Sequence, residues 1–194
     1  MPDFRDAHHQ ELFQCALILS IAVKKMLQVK GGIYLSADPE PKEKNIVQFE
    51  KRMRVDGLEK FGDRTAFSTV FFCRDKEHLE RHAAVGSFTI FIPVNYISKL
   101  LWQMEYPRID EEDDMMVLDA CGTVANLVAG YFVKEMMDMG YVHLEMSHFE
   151  SYINTAVDGV EFPSDQATKY ETEFYIKGEK RIVTELAMGY VPRY

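Results

Sequence analysis

Residues 115–136, MMVLDACGTVANLVAGYFVKEM, bring polar side chains to one place where they could act together. An α-helix turns about 100° per residue, so with Asp119 at zero Thr123 falls at about +40° and Asn126 at about −20°. On the same wheel Gly130 lies at about +20° and Gly122 at about −60°. Every other position from 117 to 133 is apolar or aromatic. A helix that is greasy nearly all round is buried on most of its circumference, which leaves one narrow strip of Asp119, Gly122, Thr123, Asn126 and Gly130. Each interior glycine costs about 1 kcal/mol relative to alanine, a cost explained where something approaches the backbone closely. That visitor is either another helix of the same chain, with Asn126 a satisfied core amide, or a separate partner, with Asn126 the working polar group. Periodicity leaves both readings open.

No other cluster has comparable definition. His78 and His82 lie four apart in EHLERH, a spacing that puts two imidazoles on one helical face and could bind a metal. No carboxylate–His motif of the zinc-hydrolase type accompanies them, so no metal site is assigned. His8 and His9 read as solvated, and His148 follows a predicted strand and could lie near the helix just described. Cys121 falls on the far side of that helix from Asn126, about 160° away, as a core thiol rather than a nucleophile. No Gly-rich phosphate loop, Ser-centred elbow or dinucleotide fingerprint occurs.

Composition narrows the partners. The chain has 31 acidic against 22 basic side chains, a formal charge of −9, which argues against nucleic acid because such binders neutralise phosphates with Lys and Arg. Cys15, Cys73 and Cys121 are an odd count in apolar company and read as buried free thiols in a reducing compartment. The longest uninterrupted apolar run, around residues 16–23, is too short to span a bilayer, and its acidic, His-bearing flank is unlike a signal peptide. The expectation is one cytoplasmic domain over residues 1–194, without a membrane span.

The elements that must position the strip follow from periodicity. Residues 4–30 carry helical spacing and stop at Gly31-Gly32; residues 37–44 read as a Pro-bearing loop. Strands are predicted over 45–55 (charged, at an edge), 64–73 and 84–92, the last ending at Pro93. Residues 75–82 read as a short helix or loop. A helix is expected over 94–103 with Asn95 as a possible cap, and a longer one from the acidic stretch 110–114 to Met139, ended by Gly140. The acidic cluster itself reads as capping and solvation, with carboxylates at the positive end of the helix dipole. Strands return over 141–146, 170–176 and 181–188, the last pair turning at Gly178, and 154–166 reads as a loop. Strand pairs interrupted by helices predict an α+β fold, a mostly antiparallel sheet packed against helices.

The run LDACGTVANLVAG resembles the signature helix of the CheC/CheX/FliY family of chemotaxis phosphatases, in which an Asp or Ser is followed four residues later by Glu and three after that by Asn. Here those positions are Asp119, Thr123 and Asn126, with Gly122 before the Glu position and Ala129-Gly130 after the Asn. The preceding GSFTIFIPVNYISKLLWQM also resembles the family's strand and helix before the signature, and the order of elements agrees. The likeness covers most of residues 5–190 and is closest to the single-site CheX type. Two positions depart: Thr123 replaces the glutamate, and MSHFE stands where a proline is expected some twenty residues after the Asn.

The resemblance implies a partner, a CheY-like response-regulator receiver domain carrying an acyl phosphate and supplying its own magnesium, so that the chain needs no cofactor. It implies that Asn126 orients a water for in-line attack, because positioning is most of what phosphoryl transfer asks of a protein. Asp119, Gly122, Thr123 and Gly130 would dock the partner. The family's Glu pairs with a receiver lysine; Thr123 cannot, so weak or absent hydrolysis is expected. A homodimer is implied by the same likeness. The alternative is a non-catalytic module of the same fold, used for receiver docking or dimer formation.

Overall fold

The computed structural model describes residues 4–58 and 60–194. It opens with α1 (Phe4–Gly31), whose inward face, including Ala16, Ile18, Leu19, Ala22, Val23 and Met26, is buried. The helix stops as the glycine pair predicts: Gly32 takes a left-handed φ of 58°, and the amides of Gly32 and Ile33 donate to the carbonyls of Gln28 and Leu27. There follow β1 (Lys42–Asn45), β2 (Gln48–Phe49), β3 (Arg52–Asp56), β4 (Thr65–Cys73), the short α2 (Lys76–Glu80) and β5 (Gly86–Pro93). The second half consists of α3 (Val94–Gln103), α4 (Asp114–Asp138), β6 (Glu145–Met146), β7 (Glu150–Ile153), β8 (Ala156–Val160), β9 (Thr168–Ile176) and β10 (Glu179–Met188).

The main sheet runs β1-β9-β10-β5-β4-β6, with β7 also pairing β4, and every pairing is antiparallel. Alternation sorts its side chains. Phe88, Ile90 and Ile92 of β5, with Ile182 and Leu186 of β10, join the helices in one large core. Phe91, Val183 and Ala187 point the other way, into a second core with Met53, Val55 and Val160. This second core is closed by a small sheet, β2-β3-β8. The molecule is thus an α+β sandwich of three layers: helices, main sheet and small sheet. Two helices, Ala7–Gly31 and Asp114–Asp138, are long and apolar enough by composition to cross a membrane, but over half of each window (56%) is buried within this fold.

The sequence reading fails in the small sheet, in the outer strands of the main sheet and at the cap of α3. The predicted strand over 45–55 is three pieces: the end of β1, then β2 and β3 joined by a turn at Glu50 and Lys51, both left-handed (φ 47° and 64°). Such turns are usually marked by Asn or Gly, and this one carries neither. The predicted loop over 37–44 contains most of β1, an all-exposed edge strand without apolar alternation. The predicted loop over 154–166 contains β8, and β7 precedes it unannounced. Residues 141–146 are reduced to β6 and a single bridge from Tyr141 to Arg193. Asn95 is not a cap: Pro93 occupies that position, and the Asn95 amide donates to Asp63 at 3.1 Å.

Charge is buried between the layers. Lys60, in the loop between β3 and β4, reaches Glu171 of β9 and, at 2.7 Å, Glu185 of β10. Lys169 holds the other oxygen of Glu185 at 2.6 Å, and Lys44 of β1 reaches Glu171 at 3.2 Å. Burial pushes the Glu171 carboxyl upward, but the hydrogen bonds and charges of Lys60 and Lys44 outweigh it and leave it below its ordinary value of 4.5. Burial lowers Lys60, and its two carboxylates more than compensate, holding it above 10.5.

Replacing Lys60 leaves each glutamate one lysine, so Lys60→Met should cost about 1–3 kcal/mol rather than the larger penalty of an orphaned charge. Because the Glu171 value is depressed, its contribution is complete above pH 4.5 and disappears as pH falls through the lower folded-state value. The Lys60 contribution is complete below pH 10.5 and lost as pH rises beyond the folded-state value. Urea melts of wild type and Lys60→Met at pH 7 and pH 3 test the cost of the substitution and the Glu171 statement: the difference between the two proteins should narrow in acid.

Candidate functional site

α4 begins where its carboxylates can cap it. Asp113 accepts the amides of Met115 and Met116 at 3.0 and 3.3 Å, and Asp114 pairs with Arg64 while the Arg64 guanidinium also donates to the Glu111 carbonyl. It ends at Met139 and Gly140, the latter at φ 89°. Between these ends the helix lies against α1, α3, β4 and β7. Val117, Cys121, Val124, Ala125, Val128 and Phe132 are fully buried. Lys25 of α1 bonds Glu135 at 2.6 Å, tying the two helices side by side. The Cys121 thiol, enclosed in this core, is pushed up to about 12 by burial and is inert as a nucleophile.

The strip emerges on the one side left uncovered. Asp119, Asn126 and Gly130 are exposed and Thr123 is half-buried. Nothing lies within 4 Å of where a β-carbon at Gly130 would stand. The Asn126 amide has no hydrogen-bond partner among the described residues, so its donor and acceptor both face outward. Thr123 differs: its hydroxyl donates to the Asp119 carbonyl at 3.0 Å, the usual backward bond of a helical threonine. Gly122 differs again, being buried with the Phe149 ring across it; an added methyl would stand 2.1 Å from a ring carbon. The close approach that this glycine permits is made within the chain.

Sequence reasoning missed Phe149, which stands just before β7 in the MSHFE stretch and fills the ground beside the strip. It also missed a groove on the other flank of α4. Tyr106, Arg108 and Ile109 of the α3–α4 connection face Met116, Asp119 and Thr123 across a cavity of about 210 Å³. At its lip the Arg108 guanidinium lies 4.8 Å from the centre of the Trp102 ring, and Trp102, Met115 and Met116 are all exposed. The exposure of Trp102 comes from the fold and gave no signal in the sequence.

The histidines do not converge. α2 ends at Glu80, so His78 and His82 share no helical face; His78 pairs with Asp75 and His82 with Glu161. His148 lies on the opposite side of the main sheet from α4, beside Phe71 and Ser87. Among the described residues no group of three His, Cys, Asp or Glu side chains could hold a metal ion.

Comparison with solved structures places this architecture. CheX from Desulfovibrio desulfuricans superimposes with a TM-score of 0.56 at 15% identity, covering 90% of this chain and 99% of that one. A CheC-like superfamily protein from Shewanella gives 0.57 at 16% identity, covering 89% and 96%. Thermotoga maritima FliY gives 0.55 at 13% identity, covering 97% and 92%. The chain has the CheC/CheX/FliY fold. No family model matches the sequence, and no curated protein does. The backbone is CheX-like at low sequence identity, and α4 packs between the other helices and the main sheet.

The two glycines should respond oppositely to alanine. At Gly130 the methyl enters open space, so Gly130→Ala should stabilise by about 1 kcal/mol through helix propensity and raise the melting temperature by several degrees. At Gly122 the methyl must displace Phe149, and overpacking of about 1–3 kcal/mol should outweigh the same propensity gain. Thermal denaturation of the two variants measures both signs.

Proposed function

We propose that this chain acts in chemotaxis-type two-component signalling by docking a phosphorylated receiver domain on the exposed strip of α4. The observation that carries this reading is the Asn126 amide, held at the centre of the strip by a helix buried on its other sides, with no hydrogen-bond partner among the described residues. A carboxamide so placed can accept a hydrogen bond from a water while its NH2 donates to a phosphoryl oxygen, and holding that water in line is the chemistry hydrolysis of an acyl phosphate requires. The magnesium belongs to the receiver; the chain contributes position. Exposed Met115, Met116 and Trp102 supply apolar contact beside the strip, and Asp119 supplies charge.

Hydrolysis on this reading is slow. The resemblance places a glutamate at position 123 that reaches a receiver lysine. Thr123 is neutral, shorter, and committed to the Asp119 carbonyl. Asp119 is one turn away but is the shorter acid and starts further from Asn126. That observation favours a second reading, in which the fold is retained as a receiver-binding or dimerising module without chemistry. Both readings place the protein in the cytoplasm with its receiver, and the homodimer implied by the family likeness can be read by light scattering in the same samples.

The deciding measurement is loss of phosphate from acetyl-phosphate-charged receivers, with and without the protein, alongside the affinity for the receiver. Thr123→Glu should tighten docking about tenfold or more and raise the hydrolysis rate. Asn126→Ala should abolish whatever hydrolysis wild type shows while changing affinity far less. A Thr123→Glu rate equal to wild type would sink the claim that this position limits activity. Binding without hydrolysis in both proteins would select the module.

A further inference from the structure

The small sheet does more than close the second core: with the corner formed by β4, α2 and β5 it walls a cleft on the side of the main sheet away from α4. The cleft has an outer chamber of about 580 Å³ and an inner one of about 230 Å³, and Arg52, His82 and Glu161 line both. Ligand sites for small molecules run to roughly 300–1,000 Å³. We propose that this cleft binds a small molecule carrying a phosphate or carboxylate group. The proposal is independent of the receiver reading and concerns the opposite face.

Two observations carry it. Ser87, on β5, is fully buried at the floor of the inner chamber, and its hydroxyl has no hydrogen-bond partner among the described residues. A buried hydroxyl left unpaired is costly, so such a group is normally met by water or by a ligand atom. Second, the outer chamber is locally basic in a chain of charge −9: Lys51, Arg52 and Arg74 stand against Glu50 and Glu161. Glu161 is already engaged, pairing with Arg52 and, at 3.2 Å, with His82, so it fixes the guanidinium while Lys51 and Arg74 form no ion pair among the described residues. A held guanidinium beside two free cations suits an oxyanion, whose oxygens accept several charged donors at once.

The rim of the outer chamber is made of turns that the fold itself fixes: Glu50 and Lys51 are the two-residue turn between β2 and β3, and His82 follows the C-cap of α2, with φ of 47°, 64° and 53° as such positions take. The inner chamber adds Thr69, Ser147 and the His148 imidazole, polar partners for the body of the ligand. The Glu150 carboxylate is also there, accepting from the Tyr152 hydroxyl at 2.8 Å, and favours a ligand with hydroxyl donors beyond its anionic group.

The test titrates the full chain with inorganic phosphate, with acetate and with chloride at constant ionic strength, following backbone amide shifts. Saturable shifts at Arg52, His82 and Ser87 with phosphate, acetate or both, none with chloride, and none at Asn126, support the site; whichever anion saturates identifies the group it takes. Arg74 is exposed, so Arg74→Ala should leave the melting temperature unchanged and weaken the saturating anion about tenfold. Ser87→Ala should weaken it several-fold without loss of stability, since it removes a hydroxyl that nothing satisfies. Shifts that do not saturate, that chloride reproduces, or that survive both substitutions unaltered would overturn the proposal.

Discussion

The organisation of the molecule depends on the burial of α4. Its apolar circumference is matched by α1 on one side, α3 on another and the β4–β5 face of the main sheet beneath, so that water is excluded from all but one strip. Burial of the full-length apolar faces fixes both the depth and the rotation of the helix. A rotation of one residue, about 100°, would bury Asn126 and expose a valine or alanine. The position of the Asn126 amide is thus held by hydrophobic packing several ångströms away rather than by any bond to the amide itself. That arrangement fixes its location while its polar atoms form no hydrogen bond among the described residues.

Local details are consistent with that constraint. Asp113 caps the helix and Arg64 anchors its first turn to the start of β4, while the Lys25–Glu135 pair locks its last third to α1. Phe149 fills the depression at Gly122 and connects the strip to β7. One glycine of the strip therefore serves internal packing and the other leaves the backbone open. Thr123 shows the reverse economy: a hydroxyl that could have faced a partner is bonded to its own helix.

The far side of the main sheet follows different physics. Its outward side chains are not uniformly apolar, so the covering sheet must accommodate lysines and glutamates as well as Phe67 and Phe91. Lys60, Lys169, Glu171 and Glu185 do this by satisfying each other in low exposure, and the small core of Met53, Val55, Val160 and Phe162 supplies the adhesion. Where the two sheets diverge, polar groups are left facing a cleft instead of each other, with Ser87 unpaired at its floor. The helix face and the cleft face are separated by a single sheet.

How much of this was legible follows from what each signal measures. The long helices, their glycine stops, strands β4, β5, β9 and β10, and the polar strip all show in the sequence, because each is set by a periodicity of neighbouring residues or by the conformational freedom of glycine. The strip could be listed residue by residue: Asp119, Thr123, Asn126 and Gly130 do lie along one line of α4. Its exposure could not be read, because a helix wheel gives the angle between side chains and says nothing of what stands opposite them. Gly122 makes the point, since only the fold brings Phe149 across it from 27 residues further on. The small sheet was invisible for a related reason: β2 and β8 are short and largely exposed, and the turn at Glu50-Lys51 adopts left-handed geometry without glycine or asparagine, so the pairing of β3 with β8 is decided by residues distant in the chain. The amino-acid order determined which surfaces had to be buried and which groups had no reason to be; tertiary packing decided which of the latter meet solvent and which meet one another, because solvent exposure is a property of the assembled layers and not of any one segment.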